Sequence, residues 1–298
     1  MILHKASKFL LLLFVTGNSF CQGQTDPLFQ FGIIADVQYA DIENHKTRHY
    51  RSSLGKLGEA VEAFNKEDIE FVVSLGDFIN NDFKSYDTLN RITAKLKMPL
   101  YHVLGNHDYS VEDHEKDRIL ETLNMKKEYY SFSKEQWRFI FLNGLDISLI
   151  GNLSGSIEYK KASRILLKLE KTGALNAKPW NGALGKQQIK WLKKELREAK
   201  TRNQQIIVFC HFPLYPENSP QVLWKSAEFR EILESNPNVK AYFNGHVHVS
   251  QNFKKNGVNY ISFSGMVEGE ENSFAIVSVY KDSLAIKGFG KEIDTIIK

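Results

Sequence analysis

Cysteine is nearly absent from this chain. Its 298 residues include two, Cys21 and Cys210. Removal of an N-terminal leader, or lipid attachment at Cys21, leaves Cys210 alone and excludes an intramolecular disulfide. A structural zinc site made of thiolates is excluded by the same count. Cys210 closes an apolar run and reads as a small buried apolar residue, since nothing in the sequence marks an activating environment for a nucleophile. An excess of one charge is also lacking. Lys and Arg total 39 and Asp and Glu 35, a formal net charge of +4. Two of those charges, Lys5 and Lys8, sit in a segment with no acid before Asp26. The remainder is close to neutral, so no nucleic-acid partner is indicated, while a mild excess of base suits an anionic small molecule. There is no internal repeat, no low-complexity segment and no apolar run long enough to span a bilayer.

The longest early apolar run, Phe9–Val15, has another use. His4, Lys5 and Lys8 precede it, and Thr16–Gln24 is a polar exit with Ser19 and Cys21 spaced for cleavage after Cys21. Residues 1–24 are therefore expected to be a signal peptide that exports residues 25–298 to the periplasm or medium. Lipid anchoring at Cys21 is the minor alternative, and no other stable membrane insertion is expected.

What the chain does have is a recurring device. Five apolar runs each deliver a polar, metal-competent side chain just past their last apolar residue. Phe31–Ala35 runs into Asp36-Val-Gln38, and Phe71–Leu75 into Gly76-Asp77. Pro99–Leu104 runs into Gly105-Asn106-His107-Asp108. Ile206–Cys210 runs into His211, and Ala241–Phe243 into Asn244-Gly245-His246-Val247-His248. Each has an ordinary explanation alone: Gly-Asn is turn chemistry, and a lone His before Phe-Pro packs in a core. Ligands of open α/β sheets bind beyond the carboxyl ends of the strands, so five such ends on one sheet edge would converge on one polar cluster.

The order of elements supports such a sheet. Helical spacing of apolar residues predicts helices from Ser53 to about Lys66 and from about Phe83 to Lys97, which with the first three strands make a βαβαβ unit. Further helices are expected near Glu112–Asn124, Tyr159–Lys171, Gly185–Lys200 and Trp224–Ser235, and further strands at Trp137–Leu142, Gln205–Cys210 and Val239–Phe243. Short strands at Val258–Phe263, Ser273–Val279 and Leu284–Lys287 suggest an antiparallel close. Residues 143–184 are irregular and read as a lid over the strand ends, against the plainer reading of a surface insertion. One domain and a monomer are expected.

Asp36, Gln38, Asp77, Asn106, His211, His246 and His248 offer carboxylate, amide and imidazole donors. This mixture suits Mn²⁺, Fe²⁺ or Zn²⁺ and exceeds what one ion needs. Two ions about 3.5–4 Å apart with a shared carboxylate would use it, activating water at neutral pH and clamping an in-line displacement at phosphorus. Arg48 and Arg51 are candidates for a diphosphate clamp, competing with a solvated helix start. Tyr39, Tyr50 and Trp180 are candidates for base stacking, with packing favoured. His45, His49 and His114 read as solvated, and His102 as packed within a strand.

The ordered set Asp-x-Gln, Gly-Asp, Gly-Asn-His-Asp, His and Gly-His-x-His resembles the calcineurin-like metallophosphoesterases. The resemblance implies a four-layer αββα sandwich, an α/β fold of two mixed sheets flanked by helices, with residues 143–184 as a cap-like insertion. It implies a first metal on Asp36, Gln38, Asp77 and His248, and a second on Asp77, Asn106, His211 and His246. It makes His107 the proton donor and Asp108 the residue that orients it. The first motif usually reads Asp-x-His. Gln38 there, with Asp36–Asp41, Arg48–Leu54, Trp180-Asn181-Gly182 and Gly265–Glu268, is similar to the manganese-dependent ADP-ribose/CDP-alcohol diphosphatases. An amide oxygen in place of an imidazole makes the first site harder and favours Mn²⁺. The implied reaction cleaves ADP-ribose, CDP-choline or CDP-glycerol to a nucleoside monophosphate and a phosphorylated sugar or alcohol. A phosphodiesterase or phosphomonoesterase on the same metal core is the alternative, and a non-catalytic metal-bound scaffold a further one. The export signal departs from the animal members, which are intracellular.

Overall fold

A run of apolar residues on both faces of a strand needs cover on both sides. A computed structural model describes residues 26–298 and shows how that cover is provided; the signal peptide expected at residues 1–24, with Cys21, lies outside the described residues. Strand β1 (Phe29–Ile34) sends Phe31 and Ile33 to one side and Ile34 to the other. On the outer side lies helix α1 (Ser53–Phe64), whose Leu57, Val61 and Phe64 meet the sheet at helical spacing. Gly32 marks the closest approach, because a Cβ there would stand 2.8 Å from the Phe64 ring.

Strands β2 (Phe71–Ser74) and β3 (Leu100–His102) continue from β1 in parallel, with helix α2 (Ser85–Thr93) between them. A short 3₁₀ turn (Asp113–Arg118) and helix α3 (Ile119–Thr122) replace the single helix expected there. The second half of the chain builds another sheet. Its strands are β4 (Tyr130–Lys134), β5 (Trp137–Phe141), β8 (Gln205–Phe209), β9 (Val239–Asn244), β10 (Gln251–Lys255) and β11 (Val258–Ser262), in the order β10-β11-β9-β8-β5-β4. Helices α5 (Lys186–Thr201) and α6 (Ser226–Glu234) cover its outer face through Leu192, Leu196, Phe229 and Leu233. The first sheet is completed by β12 (Ser273–Val279), β13 (Leu284–Gly290) and β14 (Thr295–Ile297), in the order β14-β13-β12-β1-β2-β3. β12 pairs antiparallel to β1.

The inner faces of the two sheets meet in an aromatic core. Phe31 stacks on Phe71 at 4.9 Å, Phe141 on Phe209 at 4.7 Å, and Phe31 meets Phe139 edge-on at 5.8 Å. Strand alternation sorts the residues: Ile207, Phe209, Ala241 and Phe243 face this core, while Ile206, Val208 and Tyr242 face the helices. The layers are thus helix, sheet, sheet, helix, as the resemblance implies. The single sheet edge is corrected. β1, β2 and β3 end on one sheet and β8 and β9 on the other, because apolar alternation dictates faces and not which strands pair.

Residues 143–184 have a core of their own. β6 (Ile147–Ser148) pairs with β7 (Gly182–Ala183), and helix α4 (Ile157–Lys171) packs Ala162 and Leu166 against Ile147, Ala183 and Trp224. Among the described residues no helix is long and apolar enough to cross a membrane.

Candidate metal centre

The apolar runs end where the chain must leave a buried strand and turn sharply. At Asp36, Gln38, Asp77, His246 and His248 the turn is left-handed, with φ between 41° and 68°. Such φ values are uncommon for residues with a Cβ and cost about 1–3 kcal/mol each. Of the eleven such non-glycine residues described, five are predicted ligands, so the strain gathers at this one place. Gly105 and Gly245 are needed for close approach. A Cβ at Gly105 would stand 2.2 Å from Asp77 Oδ1, and one at Gly245 2.4 Å from Asp36 Oδ2.

The side chains form two overlapping sets. Asp77, His211 and His246 offer ligand atoms within 4.8 Å of one another, and so do Asp36, Asp77 and His248. Asp77 belongs to both. His211 Nε2 is 3.2 Å from Asp77 Oδ2 and 3.1 Å from His246 Nδ1. His248 Nε2 is 3.3 Å from Asp36 Oδ1. Gln38 Nε2 lies 3.1 Å from both Asp77 Oδ2 and His248 Nε2. Asn106, itself buried, lines one cavity with Gln38, Asp77, His246 and His248, so all seven predicted ligands are brought to one place.

The electrostatics ask for a cation. Burial pushes the Asp77 carboxyl up, but the charges of His211 and His107 outweigh this and hold it well below the usual carboxylate range. Burial lowers His211 and His248, yet Asp77 and Asp36 respectively raise each to about 9. Burial and the His211 charge push His246 the other way, well below its ordinary value. The carboxylates draw protons onto imidazoles that a metal ion would displace. Gln38 Oε1, Asn106 Oδ1 and His246 Nε2 are buried with no hydrogen-bond partner. Native proteins seldom leave such atoms unsatisfied, and each belongs to a predicted ligand, so the residues fit divalent ions.

His107 and Asp108 part company. The His107 N–H donates to Asp77 Oδ1 at 2.7 Å, and its ring Nδ1 lies 2.8 Å from the Asn80 carbonyl. The Asp108 carboxylate does not orient that ring, which corrects the role expected for it. It accepts from the backbone N–H groups of Asp77, Phe78 and Gly105, each at 2.9 Å, and from Tyr86 Oη at 3.1 Å. Asp108 is wholly buried, and backbone donors are the partners that strand-end turns supply.

A cavity of about 370 Å³ opens over the ligands, lined also by His107, Arg48, Ser110, Ile150, Trp180 and Gln221. Ile150 and Trp180 come from residues 143–184, so that segment contributes to the cavity wall. The two predicted arginines separate. Arg48 reaches the cavity, with Nε 3.7 Å from Glu268 Oε1. Arg51 does not: it is exposed and paired with Asp41 and Glu43, each at 2.5 Å. Two acids beside it in sequence satisfy its guanidinium locally. Tyr50 is buried with Ala40 and Val267, a packing role. Cys210 is wholly buried and burial pushes its thiol up to about 11, which suits the packing role. Glu268 was missed as a site residue. Its carboxylate is held down to about 2 by the His248 Nδ1 hydrogen bond, at 2.6 Å. The only sequence signal was its place in Gly265-Met266-Val267-Glu268.

The sequence profile of the calcineurin-like phosphoesterases matches residues 29–250. A manganese-dependent ADP-ribose/CDP-alcohol diphosphatase of Xenopus tropicalis is 30% identical, over 89% of this chain and 92% of that protein. The Homo sapiens protein of the same name is 29% identical, over 92% and 93% respectively. Among solved structures, a dimetal phosphatase from Danio rerio is 28% identical, with a TM-score of 0.83 over 92% of this chain and 99% of that one. A purple acid phosphatase from yellow lupin seeds is 14% identical with a TM-score of 0.59, over 89% and 52%, and shares the fold alone. The chain belongs to the calcineurin-like phosphoesterase family and is a metal-dependent hydrolase of phosphoesters or phosphoric anhydrides.

Proposed function

We propose that this protein hydrolyses the phosphoanhydride of nucleoside diphosphate derivatives of the ADP-ribose, CDP-choline or CDP-glycerol type. The products are a nucleoside monophosphate and a phosphorylated sugar or alcohol. The observation that carries the reading is the pair of ligand sets sharing Asp77 at the floor of a cavity that also receives His107 and Arg48. The names of the similar proteins support the substrate class.

Asp36, Gln38, Asp77 and His248 would hold one divalent ion and Asp77, Asn106, His211 and His246 another, with Mn²⁺ favoured by the Gln38 amide. Such a pair supplies an activated water and stabilises charge on the phosphoryl oxygens. The chain's own residues do the rest. Arg48 binds the diphosphate, its guanidinium matching phosphate oxygens in a fork. Water adds to one phosphorus, the bond to the bridging oxygen breaks, and the departing phosphate takes a proton. His107 delivers it at Nε2, because Nδ1 is committed to the Asn80 carbonyl.

Protein stripped of metal, then assayed with and without Mn²⁺ on ADP-ribose, CDP-choline, a cyclic nucleotide and p-nitrophenyl phosphate, tests this. Mn²⁺-dependent release of AMP and CMP with little action on the monoester is the expected result. Dominant action on the monoester or the cyclic nucleotide would keep the hydrolase and overturn the substrate class.

A further inference from the structure

Residues 265–269, between β11 and β12, are held more firmly than a connection requires. Lys56 on α1 is 5% exposed. Its ammonium donates to three carbonyls of this one loop: Met266 at 2.8 Å, Glu268 at 3.2 Å and Gly269 at 2.6 Å. An ammonium has three protons to donate, and all are spent here. Lys are almost never fully buried without a partner, and these hydrogen bonds go to carbonyls of one short segment. Burial and the charge of Lys291 pull Lys56 down to about 8, so the loop carbonyls hold a cation that its surroundings otherwise disfavour. The attachment is reinforced from both sides. Lys291 Nζ also donates to the Glu268 carbonyl, and Asn272 Nδ2 donates to the Lys56 carbonyl at 2.8 Å. The loop backbone runs along the first ligand segment, with Met266 N–H on the Ala35 carbonyl at 2.9 Å and Val267 N–H on the Asp36 carbonyl at 3.0 Å.

What this loop delivers is the Glu268 side chain. Its Oε1 lies 2.6 Å from His248 Nδ1 and 3.7 Å from Arg48 Nε. One oxygen therefore faces both a ligand of the candidate metal centre and a cation lining the cavity. A carboxylate behind a ligating imidazole fixes its ring orientation and raises its basicity. The loop backbone decides where that carboxylate stands, and Lys56 is the group that grips the backbone at three points.

We propose that Lys56 is a positioning residue: by clamping residues 265–269 it sets the Glu268 carboxylate, which orients His248 toward metal and Arg48 toward the diphosphate. The proposal rests on the reading of His248 as a metal ligand. Loss of the clamp releases both partners of Glu268, so metal affinity and substrate affinity fall together. A lysine that merely packs would change stability alone.

The test uses the full chain as wild type, Lys56→Met, Lys56→Arg, Glu268→Gln and the Lys56→Met/Glu268→Gln double variant. Each is stripped of metal and titrated with Mn²⁺, with free Mn²⁺ followed by EPR. KM for CDP-choline is then measured at saturating Mn²⁺, and folding is checked by circular dichroism. Lys56→Met is expected to weaken Mn²⁺ binding by about tenfold or more and to raise KM while still melting cooperatively. Glu268→Gln is expected to do the same, and the double variant no more than the worse single one, since both changes cut one linkage. Lys56→Arg keeps the charge but cannot seat a planar fork on three carbonyls, and is expected to fall between. Wild-type Mn²⁺ affinity in Lys56→Met overturns the proposal, as do losses that multiply in the double variant. If Lys56→Met does not fold, Lys56→Arg decides: weakened Mn²⁺ binding supports the proposal and wild-type binding overturns it. A wild-type chain that takes up no Mn²⁺ overturns the metal reading beneath it, which is a distinguishable failure.

Discussion

The Asp108 carboxylate holds the turn that carries Asp77. Its Oδ2 accepts from the Asp77 N–H and its Oδ1 from the Phe78 N–H, both at 2.9 Å. Two buried acids thus stand back to back, one aimed at the ligands and the other at the backbone beneath them. Burial, followed by the Asp77 charge, pushes the Asp108 carboxyl up to about 7, against the pull of the N–H groups. Asp108→Asn puts an NH₂ group where a backbone N–H needs an acceptor, at about 1–3 kcal/mol for each donor left unpaired. Lower stability in urea and weaker Mn²⁺ binding are expected together. A variant of wild-type stability that has lost only turnover would return Asp108 to a role in the chemistry.

His107 touches Asp77 through its backbone and Asn80 through Nδ1, and its ring is not placed among the ligand sets. His107→Ala is therefore expected to cut kcat by about 10²–10⁴-fold while leaving Mn²⁺ stoichiometry unchanged. Metal analysis alongside single-turnover kinetics checks this. Parallel loss of metal and rate would make His107 a ligand or a support instead.

The two arginines that the sequence leaves equivalent are now separable. Arg48→Ala is expected to raise KM for CDP-choline, because the guanidinium lines the cavity. Arg51→Ala is expected to leave both kinetic constants near wild type, because its partners are the exposed Asp41 and Glu43. Equal effects of the two substitutions would contradict the assignment.

Legibility in the sequence followed what each residue could reveal alone. The strand ends were legible because each apolar run stops at a polar, metal-competent residue. That β1, β2 and β3 lie on a different sheet from β8 and β9 was not, since pairing is a long-range choice that periodicity does not encode. β4 and β10 escaped notice because they are edge strands with partly exposed, polar-rich faces, Tyr130–Lys134 and Gln251–Lys255. Asp108 was legible as a site residue but not in its contacts, which depend on N–H groups from residues 77 and 78, brought close only by folding. Glu268 and Lys56 show the same limit: their partnership spans more than two hundred positions.

On the proposed reading, the Gln38 amide is what favours Mn²⁺. Gln38→His replaces an amide oxygen with an imidazole nitrogen, and is expected to raise affinity for Zn²⁺ relative to Mn²⁺. Competition titrations of the metal-free proteins measure the ratio. An unchanged or lowered preference for Zn²⁺ would mean that Gln38 does not ligate.

His102 sits in β3, 5% exposed, with Nδ1 unpaired, and burial lowers its imidazole to about 4. Above pH 6.5 it is neutral whether the chain is folded or not, and its contribution is fully present. As pH falls from 6.5 toward 4 the unfolded chain binds a proton that the folded chain refuses. Stability is expected to drop by up to about 3 kcal/mol over that window. His102→Phe is expected to flatten this part of the slope relative to wild type in urea unfolding across pH. Parallel slopes would show that His102 titrates alike in the folded and the unfolded chain.

In the proposed function, Asp77 joins two metal sites into one hydrolytic centre. The most direct measurement adds Mn²⁺ stepwise to metal-free protein and follows CMP release from CDP-choline and the EPR spectrum in the same samples. Release of CMP is expected to rise with the second equivalent, together with a spin-coupled dimanganese signal, and Asp77→Asn is expected to lose both. Full release of CMP at one equivalent, with no coupled signal at any loading, would contradict it.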